Sequence, residues 1–217
     1  MPKSEIIRLA RVLHPVTVLG PGRRIGVWVQ GCTLACPGCV SQDTWEPEAG
    51  LAVSVPEFVG LLGEILDGDP LLTGLSLTGG EPFQQPLLGA AVAEVVRSHA
   101  DRRLDVLVYT GYAARTARHR VPDLWAAADA VVAGRFRQEA GWPGPWAGSA
   151  NQTLELLTPL SRERLAEDRW PTGPGIQAVM DDGDLVMVGI PRPGDLERLE
   201  ERLAGRGIRL QDVSWRL

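Results

Sequence analysis

The sequence is poor in the residues that build the commonest stabilising and metal sites. It has three cysteines and three histidines in 217 residues. An odd cysteine count cannot close into a set of disulfides. The stretch from Met1 to Leu13 is not a signal peptide, because Arg8 and Arg11 interrupt its apolar residues. Free thiols without an export signal lead to the expectation of a reducing cytoplasm. No apolar run approaches the length of a bilayer span. The longest, Leu104 to Tyr109 and Leu185 to Ile190, have the length of strands. Neither sign of charge dominates: 22 basic and 27 acidic residues give a net charge of -5. That balance argues against nucleic acid or an anionic membrane as a partner. There is no internal repeat and no low-complexity segment. The length suits one domain, residues 1–217, with a real core.

What the chain does have is concentrated. Cys32, Cys36 and Cys39 fall within eight residues, at C-x3-C-x2-C spacing. Three thiolates can hold three corners of a cubane iron–sulfur cluster and leave one iron open to a small molecule. An open position points to chemistry rather than to structure. Structural zinc is the alternative, and it usually takes four ligands in two pairs. His14, His99 or His119 would have to complete such a site, and none sits at finger spacing. The histidines are assigned no role.

Strands and helices alternate along the chain. Ile25 to Gln30 is a short apolar run that ends at the cysteine loop. Val55 to Leu66 repeats apolar residues at helical spacing behind a Ser54 cap, with Pro56 in the first turn. Strands follow at Leu75–Thr78, Leu104–Tyr109 and Ala130–Ala133, with helices at Pro86–Val96 and Asp123–Ala128. This order predicts an α/β fold of mostly parallel strands, open or curled into a partial (β/α) barrel. Function then belongs to the loops at the strand carboxyl ends. The cysteine loop, Gly79-Gly80, Thr110-Gly111 and Gly134 all fall there. Beyond Ala140, the prolines and glycines of residues 141–148 exclude helix and central strand. That segment reads as a surface loop whose Trp142 and Trp146 pack on the body, or as a partner-docking loop. A hairpin over Ile176–Met180 and Leu185–Ile190, turning at residues 181–184, and a helix capped by Asp195 complete a structural tail.

The residues from Gly20 to Cys39 resemble the radical S-adenosylmethionine (SAM) enzymes, and within them the activating enzymes of glycyl-radical enzymes. Further stretches agree in order: Gln42-Asp-Thr-Trp45, Thr78-Gly-Gly-Glu-Pro82, Tyr109-Thr-Gly-Tyr112, Asp129 to Phe136, and Gly148-Ser-Ala-Asn-Gln152. The resemblance covers roughly residues 18 to 155, leaving a C-terminal extension over 156–217. It implies one [4Fe-4S] cluster on Cys32, Cys36 and Cys39, with SAM chelating the open iron. One electron would cleave SAM to methionine and a 5′-deoxyadenosyl radical, which abstracts hydrogen from the substrate. Thr78, Gly79, Gly80, Glu81, Thr110 and Asn151 would line the SAM site. A ligand amino group can approach backbone closely only where no Cβ intervenes, so Gly80→Val is expected to weaken SAM binding more than cluster assembly.

Some positions depart from the pattern of the pyruvate formate-lyase activase. Ala133-Gly-Arg135 stands where that enzyme has an aspartate–leucine–lysine run, and Tyr109 where it has an aspartate. The two missing carboxylates argue against a cation site of that kind and against that exact specificity, and Gly38 before the last cysteine is as in the ribonucleotide reductase activase subgroup. The expected partners are a glycyl-radical protein substrate and an electron donor of flavodoxin or ferredoxin type. The alternative is a radical SAM tailoring enzyme acting on a small molecule or peptide, which the extension after Leu154 favours. A non-catalytic cluster or zinc module is the third reading.

Overall fold

A computed structural model describes residues 6–142, 144, 146–166, 175–181, 184–192, 194–211 and 213. Its centre is one seven-stranded sheet: β1 (Ile6–Val16), β2 (Arg23–Val29), β3 (Leu51–Ser54), β4 (Leu72–Gly79), β5 (Asp105–Thr110), β6 (Ala130–Ala133) and β7 (Thr153–Leu156), in the order β3-β1-β2-β4-β5-β6-β7. The middle four strands, β2, β4, β5 and β6, are parallel. Both flanks are antiparallel: β3 and β1 on one side, β7 on the other. The fold is therefore α/β with a parallel centre. The sheet ends openly at β3 and β7 among the described residues.

The helices are α1 (Val55–Gly68), α2 (Leu88–Ser98), α3 (Ala114–Arg120), α4 (Pro122–Ala127), α5 (Pro159–Arg164) and α6 (Asp195–Ala204). The start of α1 follows from its sequence. The Ser54 hydroxyl accepts from the Glu57 N–H, the Glu57 carboxylate reaches back to the Ser54 N–H at 2.7 Å, and Pro56 fits the first turn. Phe58, Leu62 and Leu66 then fall on one helical face, fully buried, each adding about 1.5–3 kcal/mol of apolar burial. At α6 the expectation fails in detail. Gly194 is the cap residue, and Asp195 is the first helical residue, its carboxylate accepting from the Arg192 N–H.

Period-two alternation splits each central strand between two faces. Ile25, Val27, Val29, Leu75, Leu77, Val106, Val108 and Val131 meet the buried residues of α1 to α4 in the main core. The opposite face carries Trp28, Leu107, Ala130 and Val132. It is covered by Trp146, by Leu165 after α5, and by Val188 of the hairpin β8 (Gly175–Asp181) and β9 (Asp184–Ile190). The Gln177 side chain fastens this hairpin to the end of β1, donating to the Pro15 carbonyl at 2.7 Å and accepting from the Thr17 N–H at 3.0 Å. Residues 182 and 183 of the hairpin turn, and 143 and 145 of the tryptophan loop, lie outside the described residues.

Parallel strands put four carboxyl ends on one rim. The rim loops are joined to one another: Gly80 N–H donates to Val29 O at 2.8 Å, Glu81 N–H to Gly31 O at 2.9 Å, and Gly134 N–H to Thr110 O at 3.1 Å.

Candidate active site

The cysteine loop leaves β2 and is braced from several sides. Gly31 N–H donates to Thr44 O and Cys32 N–H to Trp45 O, while Cys39 N–H turns back to Cys36 O at 3.1 Å. The Trp45 side chain hydrogen-bonds the Cys39 sulfur. This gives the Gln42–Trp45 stretch a physical task. Three glutamines do similar work. Gln30 donates to Glu46 O at 2.9 Å, Gln85 donates to Gln30 O at 2.7 Å, and Gln84 accepts from the Thr33 N–H while donating to the Thr33 hydroxyl. Sequence reasoning missed all three, because an uncharged amide carries no spacing signature. Arg135, at the end of β6, donates to the Leu34 carbonyl. Ala35 adopts left-handed backbone at φ 45°, an uncommon conformation for alanine between two ligand candidates.

Cys36 is buried, while Cys32 and Cys39 are half-buried. Burial pushes the Cys32 and Cys39 thiols up from their ordinary range, against hydrogen bonds that lower them. The charge of a Cys36 thiolate pushes both the same way, so Cys36 lies in electrostatic range of each. Among the described residues no three His, Cys, Asp or Glu side chains are already gathered at metal-ligating range. The donor set nevertheless fits a cluster. Three soft thiolates share one braced loop, and cluster loading must displace the protons that burial retains.

The Gly79-Gly80 turn is pressed against this loop. Gly79 sits at φ 92°, a left-handed region. A Cβ on Gly80 would lie 2.4 Å from the Gly31 carbonyl oxygen, one residue before Cys32. The structure thus gives Gly80 a reason that precedes any ligand: it lets the turn close onto the cysteine loop. Gly80→Val is accordingly expected to damage cluster assembly along with SAM binding. Iron and sulfide per chain after reconstitution should fall severalfold, and a full cluster in that variant would refute this packing argument.

Glu81 is almost fully buried and takes three hydrogen bonds: from Thr110 Oγ1 at 2.7 Å, Gly111 N–H at 2.8 Å and Phe83 N–H at 3.0 Å. Burial pushes its pKa up from the ordinary carboxylate range, opposed by those three donors and by the Arg120 charge. This carboxylate ties the turn after β4 to the end of β5. Thr110 is buried and also accepts from the Tyr112 N–H. Thr78 is half-buried near the end of β4, its backbone paired in register with Trp28. Asn151 is exposed, its amide donating to Arg135 O at 2.8 Å. Its neighbour Gln152 locks the same corner, donating to Gly134 O and accepting from Gly148 and Ser149. Trp146 is buried, and Trp142 lies under the Arg192 guanidinium at 4.5 Å. The loop therefore spends its tryptophans on packing.

Residues 18–155 match the family described as a 4Fe-4S single cluster domain. The chain belongs to that family. It is 32% identical over 148 residues to the anaerobic ribonucleoside-triphosphate reductase-activating protein of Vibrio cholerae, covering 67% of this chain and 96% of that protein. The proteins of the same name from Pasteurella multocida and Escherichia coli K12 are 33% identical over 154 residues and 31% over 150. They cover 67% and 66% of this chain, and 95% and 96% of those proteins. The family's description favours an iron–sulfur cluster over zinc, and the resemblance to radical SAM activating enzymes holds. Among solved structures, the crystal structure of QueE from Escherichia coli covers 94% of this chain and 92% of that chain at a TM-score of 0.40 and 16% identity, too loose a likeness to bear on the site.

Proposed function

We propose that this chain is a radical SAM activase that generates a glycyl radical on a partner enzyme, an anaerobic ribonucleotide reductase. The observation that carries the reading is the 2.9 Å bond from Glu81 N–H to Gly31 O. It sets the Gly79-Gly80 turn against the loop that bears the cysteines. Cys32, Cys36 and Cys39 hold the [4Fe-4S] cluster. Bound there, a cluster with one open iron supplies the electron that splits SAM's carbon–sulfur bond. With a cluster bound, Thr78, Gly79 and Gly80 would offer backbone to the SAM methionyl group, and Glu81 and Thr110 hold the turn in place. Asn151 completes the rim from the β6–β7 connection. The sheet curls as a partial barrel, with residues 18–155 as its core and 156–217 as a hairpin–helix extension that screens the face opposite the helices from water.

The substrate glycine belongs to a protein rather than a small molecule, in keeping with the relatives' names. The electron comes from a carrier of flavodoxin or ferredoxin type. The reaction belongs in the cytoplasm; no described helix is long and apolar enough to cross a membrane. The deciding measurement is 5′-deoxyadenosine formation from SAM by protein reconstituted without oxygen and reduced with dithionite. Product is expected at a rate well above the cluster-free chain, and its absence from a fully loaded protein, with or without the reductase, would sink the proposal.

A further inference from the structure

The chain is acidic overall, yet residues 112–137 carry five arginines against two aspartates, and one of those aspartates, Asp129, is committed to Val106 N–H and to the Thr158 hydroxyl. Arg115, Arg118 and His119 on α3, with Trp125 of α4, line an open groove of about 530 Å³. Arg115, Arg118, His119 and Arg120 are all exposed, and the three arginines form no ion pair among the described residues. Asp123 is the one nearby exposed carboxylate on these two helices.

One short connection runs from the end of α3 to the cysteine loop, and a second from the groove to the turn after β4. The Arg120 guanidinium lies 4.6 Å over the Tyr112 ring, whose hydroxyl accepts from Gln84 Nε2 at 2.8 Å; the same nitrogen donates to Thr33, next to Cys32, at 2.7 Å. Trp125 packs 6.3 Å from Phe83, whose N–H is bonded to Glu81. The groove belongs to the helix side of the sheet, because Ala117 and Leu124 join the core that faces α1 and α2.

We infer that the α3–α4 face is the docking surface for an acidic one-electron carrier protein that reduces the cluster. The inference rests on the radical SAM reading, which requires one electron from outside. In that transfer the carrier is oxidised by one electron and the cluster reduced by one, with no bond made or broken. A carrier need only approach the cluster, whereas a substrate backbone glycine must reach the SAM carbon itself. The helix side joins the cysteine loop through packed and hydrogen-bonded side chains, so it suits the carrier. Unpaired arginines on an anionic chain form a local target for an anionic partner and would steer its approach.

The test compares wild type with Arg115→Glu/Arg118→Glu and Arg115→Gln/Arg118→Gln, each with a reconstituted cluster. Bleaching of the cluster absorbance is followed after rapid mixing with flavodoxin hydroquinone or with dithionite. At low salt the flavodoxin rate constant should fall about tenfold or more in the glutamate pair and less in the glutamine pair. Raising ionic strength should slow wild type toward the variants, and dithionite rates should coincide. Equal flavodoxin rates in all three proteins would overturn the inference. Parallel loss with dithionite would do so too, since the arginines would then serve the cluster loop itself. A loss confined to activation of the reductase by dithionite-reduced protein would assign the face to the substrate and likewise end it. Clusters that bleach normally but never yield 5′-deoxyadenosine would defeat the enzyme reading and leave the docking result standing.

Discussion

Alanine at any one of Cys32, Cys36 or Cys39 is expected to cut 5′-deoxyadenosine formation to the level of the cluster-free protein and to strip most of the iron. The chain contains no fourth cysteine, and the described residues offer no alternative group of histidines and carboxylates. The three positions should fail together despite their different burial, because a cubane with two protein corners no longer presents one open iron. Folding should survive each change. Cys36 is the only buried one of the three, and losing its sulfur from a rim loop leaves the main core under the helices untouched. Circular dichroism of the metal-free variants should match wild type while iron content and product fall. Normal turnover in all three variants would end the cluster assignment, and a protein loaded with zinc but no iron would return the site to a structural role.

The parts of the fold that could be read in advance are those where one periodicity runs uninterrupted. The four central strands alternate or run fully apolar, and α1 announces itself through Ser54, Pro56 and Glu57. β1 was invisible for a physical reason. Its pairing with β2 shifts register between Leu9 and Arg11 and again between Leu13 and Val16. Bulges of this kind break the period of two, so the buried Ile7, Leu9, Leu13 and Val16 do not alternate. α3 was missed because only Ala117 of its seven residues is buried, which leaves no apolar stripe. β7 is four residues long at a sheet edge, too short for a pattern.

The site divides in the same way. Cysteine spacing and a Gly-Gly turn are local signals and survive in one dimension. The bracing by Gln30, Gln84, Gln85 and Arg135 joins residues from 13 to 101 positions apart and exists only in the folded chain. Glu81 shows both sides of this. Its place in the motif marked it, but its task of joining β4 to β5 rests on Thr110 and Gly111, 29 and 30 residues away.

Asp105→Ala is expected to destabilise the fold strongly. Arg24 and Asp105 meet at 2.7 Å at the amino-terminal end of the sheet, with side chains 0% and 1% exposed. Arg24 is otherwise fully used: it donates to the Ser76 hydroxyl at 2.7 Å and to the carbonyls of Leu75 and Pro21. Arg164 at the end of α5 also pairs with Asp105, so one carboxylate answers two cations and fastens the extension to the core. Truncating it leaves a guanidinium charge buried without its counter-ion, a loss of about 3–5 kcal/mol. Against a typical total of about 5–15 kcal/mol, that is enough to populate the unfolded chain. The urea midpoint should drop sharply in Asp105→Ala. Replacing the buried pair, as Arg24→Met with Asp105→Leu, should recover part of it, because that pair adds little once its desolvation is counted, while Arg164, 20% exposed, loses its partner near water. The cysteine loop lies at the opposite ends of these strands, so SAM cleavage per folded molecule should stay near wild type. An Asp105→Ala protein with an unchanged midpoint would show that water reaches this network and that the charges are not buried as the packing indicates.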